Sequence, residues 1–278
     1  MNIIGVGDSV LDEYVDFDIM YPGGNSVNVP VLAKRCGAVQ SAYIGILGND
    51  YPGTCFRESL TNEGIDISRL RVVYGQTARN KVHIDGNGDR KFIGNNGCDV
   101  AQKMLTLTLN DNDITCIRAY DILHTSFHSE IDEILHKVVG KVRVSLDFSD
   151  AYDEQALSAY CGMVDFAFLS AGKYSEREAE HYAGYALECG AKTVVLTKGI
   201  RGSLILTRNQ KHSEHAVPVE PKDTLGAGDA YIASFLRHFF DSSGNIELAA
   251  QQASKFASLS CLSSGAFGYP INLTKTMG

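Results

Sequence analysis

Short β-branched apolar runs alternate along the chain with longer amphipathic stretches, and that rhythm predicts strands and helices in turn. The runs at 3–6, 42–47, 122–124, 142–147, 166–170 and 193–197 are largely apolar. A strand apolar on both faces is buried on both faces, as in a parallel sheet between two helix layers. The intervening stretches carry helix punctuation. Ser175 with Glu178 makes a capping-box pattern ahead of a helix ending near Gly190. Ser129 with Asp132 gives a similar start to a helix that stops near Gly140. The pattern therefore predicts an α/β fold with a mostly parallel central sheet.

Two stretches break the rhythm. Residues 77–84 and 90–93 read as short strands around Asp85-Gly86-Asn87-Gly88-Asp89, where Gly and Asn accept the positive φ of a hairpin turn. Residues 13–20 alternate polar and apolar and read as one more extended piece. Hairpins that interrupt such a fold form a lid or a dimer clasp, or are edge hairpins without a role; the expectation is a small β lid formed by 13–22 and 77–97 on a single α/β domain covering 1–270, with 271–278 as a loose tail.

Composition narrows the function classes. The 278 residues suffice for one large domain with a substantial core. The formal net charge of −8 argues against a general nucleic-acid binder, which needs a basic face. No apolar run approaches the ~20 residues of a membrane span, and the strand-like N-terminus lacks the charged lead of a signal peptide. The seven cysteines are widely spaced and form no C-x-x-C pair. They read as reduced thiols of a cytoplasmic protein, with no zinc or dithiol redox site.

The stretch richest in chemistry is Pro221-Lys222-Asp223-Thr224-Leu225-Gly226-Ala227-Gly228-Asp229-Ala230. Apolar residues at helical spacing follow it: Tyr231, Ala233, Leu236 and Phe239. Small residues therefore stand where a helix begins. There the first backbone N–H groups are unpaired and the helix dipole is positive, so an anion is stabilised. Asp229 in the same turn is placed to accept a proton from an attacking hydroxyl. Gly226, Ala227 and Gly228 would neutralise charge on a transferring phosphoryl group. Neither a Walker A motif nor a dinucleotide fingerprint occurs anywhere in the chain.

Asp223-Thr224-x-Gly226-Ala227-Gly228-Asp229 resembles the C-terminal signature of the ribokinase-like (PfkB) carbohydrate kinases. The resemblance implies a three-layer α/β/α sandwich with a β lid, Asp229 as catalytic base, and the small residues before it as anion hole. Gly23-Gly24-Asn25-Ser26-Val27-Asn28 is similar to the family's N-terminal glycine-pair signature, whose glycines would admit a sugar while Asn28 bonds its hydroxyls. Taken alone, the same residues are a turn followed by a helix cap at Asn25. Thr197-Lys198-Gly199-Ile200-Arg201-Gly202 resembles the nucleotide loop, implying ATP contacts by Thr197, Gly199, Gly202, Thr224 and Gly228. Asp8 and Asp12, after the first strand, match acids that hold sugar hydroxyls, with Asp8 also readable as a turn cap.

Two departures stand out. The family's N-x-x-E, which orders Mg²⁺, is replaced by Ser170-Ala171-Gly172-Lys173. Mg²⁺ is still expected with ATP, a monovalent cation is left open, and Glu176 and Glu178 read as helix-capping carboxylates. Pro30 stands where the family has a small residue, so the helix is expected to begin near Asn28. Gly24-Asn25-Ser26-Val27-Asn28-Val29 and Asp147-Phe148-Ser149-Asp150 look most like the fructoselysine 6-kinases within the family. A fructosamine carries a carboxylate, for which Arg79, Lys81 and Lys91 on the lid are candidates, and each singly reads first as a solvated lid charge. His124, Phe127 and His128 end a strand on the ligand side, and read equally as packed residues. The alternatives are a kinase for another sugar or a nucleoside, and a sugar- or nucleotide-binding sensor without turnover. The lid would suit a homodimer contact.

Overall fold

The computed structural model describes residues 1–84, 90–129 and 131–272, with backbone only for Ile84, Arg90 and Lys91. The expected hairpin turn at 85–89, the Lys91 side chain and residues 273–278 lie outside the described residues.

The chain begins with β1 (Asn2–Val6), β2 (Val10–Tyr14), β3 (Ile19–Gly23), α1 (Asn25–Arg35), β4 (Gln40–Ile44), β5 (Ile46–Gly48) and α2 (Tyr51–Asn62). It continues with β6 (Arg71–Val73), β7 (Arg79–Ile84), β8 (Arg90–Asn95), α3 (Ala101–Met104), α4 (Asp111–Ile117), β9 (Ile122–Ser126), α5 (Ile131–Val138) and β10 (Arg143–Asp147). It ends with α6 (Glu154–Tyr160), β11 (Phe166–Ser170), α7 (Glu176–Glu188), β12 (Thr193–Thr197), β13 (Ser203–Thr207), β14 (Lys211–Glu214), α8 (Ala227–Asp241), α9 (Ile246–Ser260) and β15 (Ile271–Asn272).

Among the described residues, eight strands form the central sheet in the order β14-β13-β12-β11-β10-β9-β1-β4. From β4 to β12 every pairing is parallel, and β13 and β14 close the edge antiparallel. The apolar strands serve both faces, as their composition requires. In β11, Phe166 and Phe168 enter the core under α1, α8 and α9, while Ala167 and Leu169 enter the core under α5, α6 and α7. The result is a helix–sheet–helix sandwich, and the parallel strands share one C-terminal edge where ligands of open α/β sheets bind.

A second sheet has the order β15-β3-β2-β7-β8. Two expectations change here. Residues 13–20 are not one strand: β2 and β3 are separate, antiparallel, and joined through a turn with Asp18 at φ 52. Aspartate tolerates that conformation, so the turn closes without glycine. The C-terminal segment is not loose from 271: Ile271 and Asn272 pair with Met20 and Ile19, because Ile271 is apolar and finds a buried place beside β3.

Helix α1 starts at Asn25, three residues before the expected Asn28, and keeps Pro30 in its buried interior. Proline leaves the Ser26 carbonyl without its helical donor. That carbonyl packs against Gly5 of β1, where a Cβ would lie 1.9 Å from the oxygen. The proline and the glycine together let α1 lie close on the sheet. The helix after Ser129 also differs, since the Ser129 hydroxyl turns to the Asp8 carboxylate at 3.1 Å.

Candidate active site

Helix α8 carries the centre. Its N-cap is Gly226 at φ 78, and the loop before it is tied down by the buried Asp223. That carboxylate accepts from the Leu225 N–H at 2.7 Å, the Gly265 N–H at 2.9 Å and the Tyr14 hydroxyl at 3.0 Å. The first aspartate of the signature is thus an anchor of the loop, tied to Tyr14 of the second sheet. The Ala227 N–H turns back to the Thr224 carbonyl at 3.2 Å. Among the described residues the N–H groups of Gly226, Gly228 and Asp229 have no partner. The open donors of this helix start are therefore those of Gly226, Gly228 and Asp229, whereas Ala227, expected in the anion hole, has its N–H engaged within the turn.

Two cavities meet at this turn. One, about 730 Å³, is lined by polar groups including Asp8, Asp12, Asn28, Asn80 and Asp229, with Gly226 at its edge. The other, about 570 Å³, is mostly apolar and includes Ile200, Val217, Val219 and Tyr231, with Thr224, Ala227 and Gly228 at its edge. The first turn of α8 is the wall that they share.

Asp229 faces the polar cavity between two amides. Asn28 Nδ2 donates to one carboxylate oxygen at 2.6 Å, and Asn25 Nδ2 donates to the other at 2.7 Å. Burial raises the Asp229 carboxyl, the two amide donors oppose the rise, and the charge of Asp8 adds to it. The same Asn25 amide nitrogen donates to Asp147 at 2.9 Å. The buried His124 sets the orientation of that amide: its Nε2 donates to Asn25 Oδ1 at 2.8 Å, and its Nδ1 accepts from the Ser145 hydroxyl at 2.9 Å. Burial pushes His124 down to about 3, so the ring is neutral and carries one donor.

A helix start that turns its carboxylate to a polar cavity and its small residues to an apolar one is an arrangement for moving an anionic group between two ligands. Residues 15–271 match the pfkB family carbohydrate kinases. The chain belongs to the pfkB family of carbohydrate kinases. It is 38% identical over 269 residues to fructosamine kinase FrlD of Bacillus subtilis (strain 168), covering 97% of this chain and 94% of that protein. It is 32% identical over 233 residues to fructoselysine 6-kinase of Escherichia coli (strain K12), covering 83% of this chain and 86% of that protein. A solved Arabidopsis thaliana ribokinase, complexed with ribose and ATP, shares the fold at TM-score 0.81 and 17% identity, over 99% of this chain and 97% of that one.

In this pfkB kinase the predicted residues fall into three groups. Asp12 and Asn28 face the polar cavity, and Asn28 Oδ1 is buried with no partner among the described residues. Thr197, Gly199, Gly202, Thr224 and Gly228 line the apolar cavity. Asp8 and Gly24 also line the polar cavity, while being tied into the scaffold. Asp8 takes the anion role at the start of α1: it accepts from the Asn25 and Ser26 N–H groups at 2.9 and 3.2 Å, and from the hydroxyls of Ser26, Ser126 and Ser129. Gly23 and Gly24 make room for protein: added Cβ atoms would meet the Asp12 carboxylate at 2.4 Å and the Asp8–Ser9 backbone at 2.9 Å. Arg79 stands apart. The register pairs Leu11 with Arg79 and Asp12 with Asn80, so strand alternation puts Asn80 in the cavity and turns Arg79 to Asp50, 3.7 Å away.

The sequence assigned no protein ligand to Mg²⁺ and read Glu176 and Glu178 as helix-capping carboxylates. Among the described residues no group of three or more His, Cys, Asp or Glu is placed to hold a metal ion. Glu176 pairs with Lys198 at 2.8 Å and Arg201 at 2.9 Å, and Glu178 closes the capping box with Ser175. These residues build no protein cage for Mg²⁺, which is commonly held by substrate phosphates and water. Asn80 and Lys103 line the polar cavity without having been singled out by sequence, Ser149 was noted only within a resembling stretch, and the one role read for Asn25 itself was a cap. The one usable signal was the position of Asn25 inside the Gly23-Gly24 motif, directly ahead of Asn28.

Proposed function

We propose that this kinase transfers the γ-phosphoryl group of ATP to the 6-hydroxyl of a fructosamine of the fructoselysine type. The observation that carries the reading is the shared wall: the first turn of α8 offers Asp229 to one cavity and Gly228 to the other. The apolar cavity suits an adenine ring, with its edge toward the phosphates at Gly228. The polar cavity suits a hexulose, with Asp12, Asn28 and Asn80 meeting its hydroxyls. Its volume, about 730 Å³, leaves space beyond one sugar ring for an amino-acid portion. The relatives named for fructosamine and fructoselysine kinases point to the same substrate class.

The steps follow from the residues. Asn25 and Asn28 hold the Asp229 carboxylate, which accepts the hydroxyl proton as the sugar oxygen bonds to the γ-phosphorus. The bond from that phosphorus to the β–γ bridging oxygen breaks, and ADP leaves with the electron pair. The Gly226 and Gly228 N–H groups meet the charge of the phosphoryl group in passage. For assembly, the exposed Phe17, Phe92 and Ile93 of the second sheet are the surface for a homodimer.

The test is ATP consumption by the purified chain with fructoselysine, fructose, ribose and nucleosides in turn. Fructoselysine should give the largest kcat/KM. Turnover with ribose or a nucleoside alone would replace the substrate, and sugar binding without any ATP use would replace the kinase by a sensor.

A further inference from the structure

The Asn25 amide does more than hold Asp229. One nitrogen donates to two carboxylates, Asp229 at 2.7 Å and Asp147 at 2.9 Å. The second oxygen of Asp147 accepts from the Ser149 N–H at 2.8 Å, and Ser149 is held at φ 52, a costly conformation for a residue with a side chain. The structure thus keeps a strained residue whose N–H is aimed at this acid. We propose that Asp147 is a positioning residue of the phosphoryl transfer: through the amide of Asn25 it forms a coupled carboxylate pair with Asp229 and sets the strength of that base.

Three features carry the proposal beyond packing. First, Asn25 cannot rotate to release either acid, because its oxygen is fixed by His124 and the neutral ring by Ser145. Second, among the described residues no cation is paired with either acid. The other ionisable groups facing it are Asp8, with its oxygens on α1, Asp12 on β2, His124 on β9, His128 after β9, and Asp150 after β10. Among the described residues the polar cavity has a single lysine or arginine, Lys103, on its lining. Third, burial pushes Asp147 up to about 7, the Ser149 N–H opposes this, and the charges of Asp229, Asp8 and Asp150 reinforce it. Two acids that share one donor, with no counter-ion among the described residues, titrate as a pair, with macroscopic steps belonging to both. An ionised Asp147 strengthens Asp229 as a base, and a protonated Asp147 weakens it.

The proposal rests on the reading of Asp229 as the base, so the experiment separates the two. The pH dependence of kcat is measured for the wild type, Asp147→Asn, His124→Leu and His124→Gln, with Asp229→Asn as reference. The wild type should follow two coupled protonations on its acid side, and Asp147→Asn one. His124→Leu frees the Asn25 amide, so kcat should fall roughly ten- to a hundredfold with the sugar KM unchanged. His124→Gln, which keeps a donor near the Nε2 position, should recover most of it. Should Asp147→Asn fail to fold, infrared titration of the wild type still decides, since the carboxylic-acid band must persist well above the usual aspartate range. Superimposable wild-type and Asp147→Asn profiles, or no such band, overturn the proposal while an inactive Asp229→Asn leaves the base standing. An active Asp229→Asn removes both.

Discussion

The two cavities beside α8 are built in opposite ways. The apolar one is assembled from three stretches: 197–202, 216–231 and 254–261. The polar one draws on segments scattered from Gly7 to Asp229, including β2, α1, β7, α3 and the loops after β9 and β10. An apolar slot asks only for shape and for a path to the phosphate turn, so neighbouring segments suffice. A site that must orient several hydroxyls needs donors and acceptors from several directions, and no single stretch of chain supplies them. Asp229 belongs to the polar side by its side chain, while its helix start closes the apolar one.

The largest effect should come from the wall itself. Asp229→Asn keeps the size of the side chain and removes the proton acceptor. We expect kcat to fall roughly 10²–10⁴-fold, with the ATP KM nearly unchanged, in a steady-state assay. If instead the ATP KM rose and kcat held, the helix start would serve the nucleotide alone, and the division between the cavities would fail.

The same contrast explains what was legible beforehand. The parallel sheet announced itself in strands such as β11 and β12, whose residues are apolar on both faces and match the expected 166–170 and 193–197. The glycine-lined helix start was legible because Gly226, Ala227, Gly228 and Asp229 lie side by side. The role of Asn25 was not, since a helix cap and a ligand of two distant acids look alike in one dimension. Nor was the displacement of Arg79, which follows from pairing Leu11 with Arg79, a register that links β2 to β7 across 68 residues. The hairpin between β2 and β3 was missed because 13–20 alternates like a single strand, and the Asp16-Phe17-Asp18 turn contains no glycine.

Two glycines of the wall should respond differently, which sharpens the comparison. At Gly228 an added Cβ meets nothing within 4 Å, so Gly228→Val should fold normally. Its methyl groups would then stand at the edge of the apolar cavity, and the ATP KM should rise by roughly an order of magnitude, the effect of about 1.4 kcal/mol. Gly226 has φ 78 and would place a Cβ 2.6 Å from that of Ala266. Gly226→Ala should therefore lose about 1–3 kcal/mol of stability by chemical denaturation, with a smaller change in ATP affinity. Reversed outcomes would exchange the scaffold and binding roles of the two residues.

The smallest effect probes the rim of the polar cavity. Lys103 is exposed, lines that cavity, and has no side-chain partner among the described residues. Arg79, by contrast, is turned to Asp50, so Lys103 is the described cation best placed for the carboxylate of an amino-acid portion. An exposed ion pair contributes about 0.2–1 kcal/mol, so Lys103→Met should raise the KM for fructoselysine about two- to fivefold. Fructose, which has no carboxylate, should keep its KM, and added salt should shrink the difference between the substrates. An equal rise for both sugars would mean that Lys103 shapes the cavity without recognising charge, and the carboxylate would then have to be met elsewhere on the second sheet.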